Sequence, residues 1–261
     1  MCLQDLRDAK RPDIEPRLLR GGLPPFFLAA EVPEREFQEW MDAYWAKDVQ
    51  ELFRLERRHS FQRFFELLTA QSGGIFEATR FARPCEVSRA TISNYLAVLE
   101  TTLVAHVVRP FSRHPASEIA AAPKVYAFDT GFVCAHRGWT TLRREDLGFL
   151  WEHFALNELQ ARFQTRRIRY WRDKRGHEVD IVWSVARKEV VAVECKWSAD
   201  EFDPTNLGAF RRRYPAGDNL VVAQDVDRGF RKRFGDLVVR FVGLGGLVRH
   251  LRPTARTAGL A

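Results

Sequence analysis

Two strand-like runs, residues 178–185 and 190–197, are separated by a short turn at Ala186-Arg187-Lys188, a spacing that commits this stretch to an antiparallel hairpin. The second run reads VVAVECKW, apolar throughout except for Glu194 and Lys196. Successive strand residues point to opposite faces, so these two charges share one face while Val193 and Cys195 take the other. A hairpin centred on Arg187 pairs residues whose numbers sum to 374, which sets Asp180 opposite Glu194. Directly opposed side chains have Cβ atoms about 5 Å apart. Two carboxylates at that distance repel unless positive charge lies between them. Mg²⁺ is commonly held by one or two carboxylates plus waters, which makes it the expected cofactor. Lys196, one step along the same face, is placed to orient or activate a water or to stabilise charge developing on a phosphate. A Glu-x-Lys pair alone on a strand is ordinarily a solvated ion pair. Asp180 at matching register is what turns the stretch into a candidate site.

The surrounding pattern supports a mixed α/β domain. A helix is expected over about 149–163, and strands over 168–171, 178–185, 190–197, 219–223 and 237–242, with room for a helix around Phe202, Leu207 and Phe210. Glu152 falls in line with Leu156, Leu159 and Phe163 at helical spacing. A carboxylate on an apolar line is costly to bury without a partner, so Glu152 is the candidate third metal ligand. Glu158, on another helical face, is the alternative.

The preceding region is helical. Phe37, Trp40, Met41, Tyr44, Val49, Leu52 and Phe53 recur mostly at three- and four-residue steps; within residues 61–128, where the winged helix is expected, Phe61, Phe64, Phe65 and Leu68 mark a first helix and Glu77 to Phe81 a second. In EVSRATISNYLAVLE, Ser88 suits an N-cap, and Ile92, Tyr95, Leu96 and Leu99 form one apolar stripe. Arg89, Ser93 and Asn94 occupy the opposite face and suit a DNA groove. Two β-like runs follow, joined by a loop containing Arg113 and His114. Three helices and a hairpin in this order predict a winged helix-turn-helix, with Arg113 as a further nucleic-acid contact. The expected organisation is an irregular segment over 1–30, helices and winged helix over 31–135, the α/β domain over 136–245, and a tail over 246–261.

The chain's 261 residues carry a net charge of +7 and a pI near 9.5, which fits a nucleic-acid partner without requiring one. Cys2, Cys85, Cys134 and Cys195 show no paired metal spacing and no disulfide framework, consistent with a reducing cytoplasm. No run approaches the roughly 20 apolar residues of a membrane span, so no membrane partner is expected. No G-x-x-x-x-G-K-[ST] phosphate loop occurs, so no bound nucleotide is expected and ATP hydrolysis by these residues is not supported.

Glu152, HEVDIV with Asp180, and VECK with Glu194 and Lys196 together resemble the PD-(D/E)XK nuclease superfamily, the restriction-endonuclease-like fold. The resemblance implies Mg²⁺ held by Asp180 and Glu194, Lys196 as catalytic lysine, and Glu152 as accessory helix carboxylate. RGGLPPF, WMDAYWAKDVQELF, RATISNYLAVLE, APKVYAFDTGF, GFLWEHFALNEL and YWRDKRGHEVDIV occur in that order. The series is similar to the C-terminal part of a large prokaryotic family of AAA-type ATPases, in which an ATPase domain precedes a winged helix and a nuclease-like domain of uncharacterised function. The resemblance covers about residues 18–245, and residues 1–20 look like the trailing edge of that ATPase domain. It implies DNA as a partner and either a protein partner or a separate ATPase subunit. Two functions are expected from the sequence: a DNA-binding, Mg²⁺-dependent nuclease, or a non-catalytic module that binds DNA or protein.

Overall fold

The computed structural model describes residues 13–29, 34–53, 57–113, 122–165, 167–185 and 189–252. The chain divides into two compact units, residues 1–107 with 122–143 and residues 108–121 with 144–261. The mixed α+β class read from the sequence holds. A helical N-terminal region is followed by an α/β region.

In the first unit, α1 (Glu15–Arg20) and α2 (Pro24–Phe27) precede α3 (Glu34–Tyr44), which runs on through a π-helical stretch, Trp45–Gln50, into the turn Glu51–Phe53. α4 (Arg58–Ala70), β1 (Gly74–Ile75), α5 (Ala78–Ala82) and α6 (Arg89–Thr101) come next, then β2 (Ala105–Pro110), β3 (Lys124–Ala127) and α7 (Thr130–His136). β1 pairs antiparallel with β3. The aromatic stripe is core, as its spacing requires. Phe37, Tyr44, Trp45, Phe61, Phe64 and Phe65 are all buried. Edge-to-face contacts such as Phe37–Phe132 and Phe61–Tyr95 add about 0.5–1.5 kcal/mol each beyond area burial. Ser88 caps α6 by accepting the Thr91 N–H at 3.1 Å, and the Ile92, Tyr95, Leu96 and Leu99 stripe is buried.

Residues 1–12 and 30 lie outside the described residues, but residues 13–29 of the expected irregular segment are ordered around a buried charge. Asp129 Oδ1 accepts the Gly131 N–H at 2.8 Å at the start of α7, and Oδ2 accepts the Gly22 N–H at 2.6 Å. Arg17 of α1 lies 3.7 Å from the same Oδ2 and donates to Thr130 Oγ1 at 3.1 Å. The glycines permit this approach. A Cβ on Gly131 would sit 2.5 Å from the Arg20 carbonyl, and Gly21 has φ +86°. Residues 1–30 read as irregular in the sequence because a buried Arg–Asp pair 112 positions apart leaves no periodic trace. Breaking such a pair from one side typically costs 3–5 kcal/mol. Asp129→Ala is therefore expected to lower unfolding stability by about that amount in urea titration, and a loss below about 1 kcal/mol would contradict this role.

In the second unit, α8 (Arg144–Phe163) leads into β4 (Ile168–Arg172), β5 (Glu178–Ser184) and β6 (Val190–Lys196). α9 (Thr205–Arg213), β7 (Asn219–Ala223), β8 (Phe230–Phe234), β9 (Leu237–Val242) and α10 (Leu244–Leu251) follow. The strand order is β4-β5-β6-β7-β9-β8. β4-β5, β5-β6 and β8-β9 are antiparallel, β6-β7 and β7-β9 parallel. Arg109 and Pro110 of β2 add a parallel pair to β4. α9 packs on β5 and α8 on β6. Val182, Val190, Ala192, Leu207, Phe210, Val221 and Phe241 share one apolar core.

Arg211 of α9 fixes the lower ends of β6 and β7. Buried to 7% exposure, it donates to Asn219 Oδ1 at 2.6 Å and to the carbonyls of Val190, Tyr214, Ala216 and Asp218. Burial draws its pKa down to about 10. Two elements differ from the sequence reading. β8 was not expected, because FRKRF is exposed along nearly its whole length. The expected tail begins inside α10, whose Leu247, Val248 and Leu251 are buried.

Candidate functional site

The site is positioned by the β4–β5–β6 meander. At its first turn Asp173 accepts the N–H groups of Arg175 and His177, and its Oδ2 lies 2.8 Å from His177 Nδ1, while Gly176 takes φ +89°. The next hairpin keeps the expected register. Ser184↔Val190, Trp183↔Val191, Val182↔Ala192 and Ile181↔Val193 all sum to 374. The turn Ala186-Arg187-Lys188 itself lies outside the described residues.

Ladder pairing stops at Ile181↔Val193, and the reason lies on the other edge of β5. β4 pairs Arg169↔Val182 and Trp171↔Val179, so Asp180 and Ile181 together oppose the single residue Tyr170. This is a β-bulge, a device that re-aims side chains next to functional sites. Asp180 is therefore not a regular ladder partner of Glu194. Its Oδ2 instead accepts the Cys195 N–H at 2.7 Å. The carboxylate is anchored to the backbone of the residue between Glu194 and Lys196.

Glu194 is 1% exposed. Its Oε2 accepts a hydrogen bond from Lys196 Nζ at 3.0 Å, and its Oε1 has no hydrogen-bond partner. An unsatisfied buried carboxylate oxygen is among the costliest features a fold can retain. Burial pushes the Glu194 pKa up to about 7, against the downward pull of Lys196, with the charges of Glu152 and Glu178 pushing further upward. Burial pulls Lys196 down, but Asp180 and Glu194 outweigh it and hold the ammonium above the ordinary lysine value. Burial, then Asp180 and Glu152, likewise raise the Cys195 thiol well above its usual value, so it is no nucleophile. Glu194 rises chiefly because it is buried, and Lys196 rises because Asp180 and Glu194 stand beside it.

α8 adds Glu152 to these charges. Trp151 Nε1 donates to the Val222 carbonyl at 3.0 Å, and Val222 is the ladder partner of Cys195. Glu152, the next residue, is half-buried, and its charge acts on Glu194 and Cys195. Glu158 is committed elsewhere, buried and 2.8 Å from Arg162 Nε. Of the two helix carboxylates, Glu152 is the one whose charge acts on Glu194.

The expected three-carboxylate shell is not assembled. Among the described residues no three His, Cys, Asp or Glu side chains stand close enough together to hold a metal ion. Mutual repulsion disfavours such a cluster, and Asp180 and Glu194 each take a local donor, the Cys195 N–H and Lys196. Mg²⁺ binding by one or two carboxylates with water completing the shell remains compatible with this donor set, and the unpartnered Oε1 is the oxygen best placed to serve. Sequence reasoning missed Glu178. It faces Arg172 at 3.9 Å and its charge also pushes the Glu194 pKa upward, and its signal was present in HEVDIV, two residues before Asp180.

The expected nucleic-acid contacts separate. Arg89, Ser93 and Asn94 are exposed on α6, with Ser93 Oγ turned back onto the Arg89 carbonyl at 3.2 Å. Arg113 belongs to the second unit, where its guanidinium lies 5.2 Å from the Tyr214 ring centre. His114 lies outside the described residues.

A helical unit is thus followed along the chain by a mixed-sheet α/β unit that carries Asp180, Glu194 and Lys196 on its β5–β6 hairpin. Residues 11–143 match the family described as domain of unknown function DUF8612, and with half its length matched the chain belongs to that family. Residues 147–240 match a second domain of unknown function, DUF4143. Two uncharacterized proteins, from Mycobacterium bovis and Mycobacterium tuberculosis, are each 29% identical over 171 residues. These alignments cover 62% of this chain but only 38% of either relative. Among solved structures, an assembly of McrB AAA+ hexamers with bound McrC from Thermococcus gammatolerans has a TM-score of 0.28 and 11% identity, over 71% of this chain and 47% of that one. A likeness that weak carries no argument. No described helix is long and apolar enough to cross a membrane.

The raised Glu194 pKa fixes the sign of a pH effect. A carboxyl whose folded pKa lies above its unfolded value near 4.5 contributes stability below that value and loses it as pH rises through about 7. Glu194→Gln removes the loss and keeps an acceptor for Lys196. In EDTA the variant is expected to be more stable than the parent at pH 8, by roughly 1–2 kcal/mol, with little difference at pH 5. Denaturant titration at both pH values checks this, and a variant less stable at pH 8 would contradict it.

Proposed function

We propose that the second unit is a Mg²⁺-dependent nuclease acting on DNA, and that the first unit presents a winged helix whose α6 face contacts the duplex. The observation that carries this reading is Glu194: buried, with Oε1 unpartnered, beside Lys196 and next to the bulge that aims Asp180. A fold does not retain an unsatisfied buried carboxylate for stability alone.

In this reading Asp180 and Glu194 would hold the cation, with Glu152 supporting from α8. When bound, Mg²⁺ would polarise the phosphodiester and lower the pKa of a bound water. Lys196, a cation held by two carboxylates, is suited to stabilise negative charge on the phosphoryl oxygens and unsuited to act as a base. Asp180, fixed by the Cys195 N–H, keeps its second oxygen at a set orientation. Attack by water on phosphorus breaks the bond to the leaving deoxyribose oxygen, which takes up a proton, and leaves a phosphomonoester and a hydroxyl end. Arg89, Ser93 and Asn94 position DNA through groove and phosphate contacts. The series of motifs shared with AAA-type ATPase C-terminal regions supports a separate ATPase subunit as partner.

The test is incubation of purified chain with labelled linear, branched and single-stranded DNA in Mg²⁺ or Mn²⁺. Cleavage is expected in at least one substrate class, reduced by 100-fold or more in Asp180→Asn and Lys196→Ala. DNA binding without cleavage under all these conditions would replace this reading with the non-catalytic module. Cleavage indifferent to Asp180→Asn would assign the activity elsewhere.

A further inference from the structure

The outermost hairpin of the second unit carries positive charge that no described acid neutralises. β8 is the edge strand, joined to β9 through Gly235-Asp236, where Gly235 takes φ +59°. One face of the hairpin is packed: Phe230 stacks on Phe241 at 4.8 Å, Phe234 meets Phe202 edge-on at 5.3 Å, and Lys232 lies 5.2 Å from the Phe234 ring centre. The other face holds Arg231 directly across from Arg240 and Arg233 directly across from Val238. All four are exposed, Val238 to 43%. Among the described residues, Arg231, Arg233 and Arg240 have neither an ion pair nor a hydrogen-bonded partner. Between positions 227 and 240 five basic side chains stand against Asp227 and Asp236.

Like charges directly opposed across a ladder are destabilising. An edge strand needs charge to discourage pairing with other chains, and Lys232 already supplies it on the packed face. The Arg231–Arg240 pair is thus an arrangement that an external anion would relieve. Its geometry suits a polymer of anions. Residues two apart on a strand are about 6.7 Å from each other, about two 3.4 Å phosphate steps along one DNA strand.

We infer that the β8–β9 hairpin is a phosphate-backbone contact surface for nucleic acid, with Arg231, Arg233 and Arg240 contacting backbone phosphates. The choice of nucleic acid as the polyanion rests on the nuclease reading. The surface is distinct from Arg89, Ser93 and Asn94 on α6 and from the Asp180–Glu194 pocket. Its contacts are to phosphates, so they contribute affinity and salt dependence without sequence preference.

The test uses the full chain and a fluorescent duplex in EDTA, with anisotropy measured across a salt series. The Arg231→Ser/Arg233→Ser/Arg240→Ser variant is compared with the parent and with a charge-matched Lys47→Ser/Arg63→Ser/Arg83→Ser control from the first unit. The hairpin variant is expected to bind at least tenfold more weakly, with a log–log salt slope shallower by about 2–3, and its thermal midpoint should equal or exceed the parent's. The control should change affinity less than threefold. Equal weakening of hairpin and control variants, with the parent binding DNA, would overturn the hairpin surface and leave the nuclease reading standing. A parent chain that binds no DNA would overturn both. Poly-glutamate bound more tightly than DNA, and lost in the hairpin variant, would reassign the surface to an acidic protein and overturn the proposal.

Discussion

The interaction on which the second unit depends is the antiparallel register of β5 and β6, interrupted at one residue. Backbone pairing from Ser184↔Val190 to Ile181↔Val193 locks the hairpin, and the bulge at Asp180–Ile181 ends it beside Glu194. A one-residue slip would move every side chain to the opposite face, breaking the packing of Val182 and Ala192 in their core and removing Glu194 from Asp180. Arg211 restrains such a slip from below, through the Val190 carbonyl and the loop that leads into β7. The geometry of the acidic pocket is thus enforced at both ends of the hairpin.

Glu194 shows how a fold accommodates a buried carboxylate with one oxygen left without a hydrogen bond. Lys196 holds its Oε2, and the pKa values of Glu194 and Lys196 both move upward. In the first unit the opposite solution holds. Asp129 is as deeply buried as Glu194, yet both its oxygens are engaged by backbone N–H groups and an arginine. The contrast separates a structural carboxylate from one that still has a lone pair to offer.

Much of this was legible in the sequence because short-range rules governed it. Strand alternation placed Glu194 and Lys196 on one face, turn length set the register, and helical spacing identified the buried stripes of α3, α4 and α6 together with the Ser88 cap. What escaped reading depended on distant partners. Arg17 and Asp129 meet across 112 positions, and the bulge at Asp180 is visible only once β4 has chosen its register against β5. β8 escaped because its residues are exposed and charged, so no apolar run announced it. Glu152 and Glu158 could not be ranked by periodicity. The Glu158–Arg162 ion pair and the Trp151–Val222 hydrogen bond made the choice.

The central claim is that the Asp180–Glu194 pocket takes a divalent cation. Mn²⁺ binding followed by electron paramagnetic resonance, on the parent chain and on Asp180→Asn/Glu194→Gln, tests it most directly. The account predicts one site per chain in the parent and its loss in the double variant, with both proteins folded. Equal Mn²⁺ binding by the two, or none by the parent at millimolar metal, would contradict it.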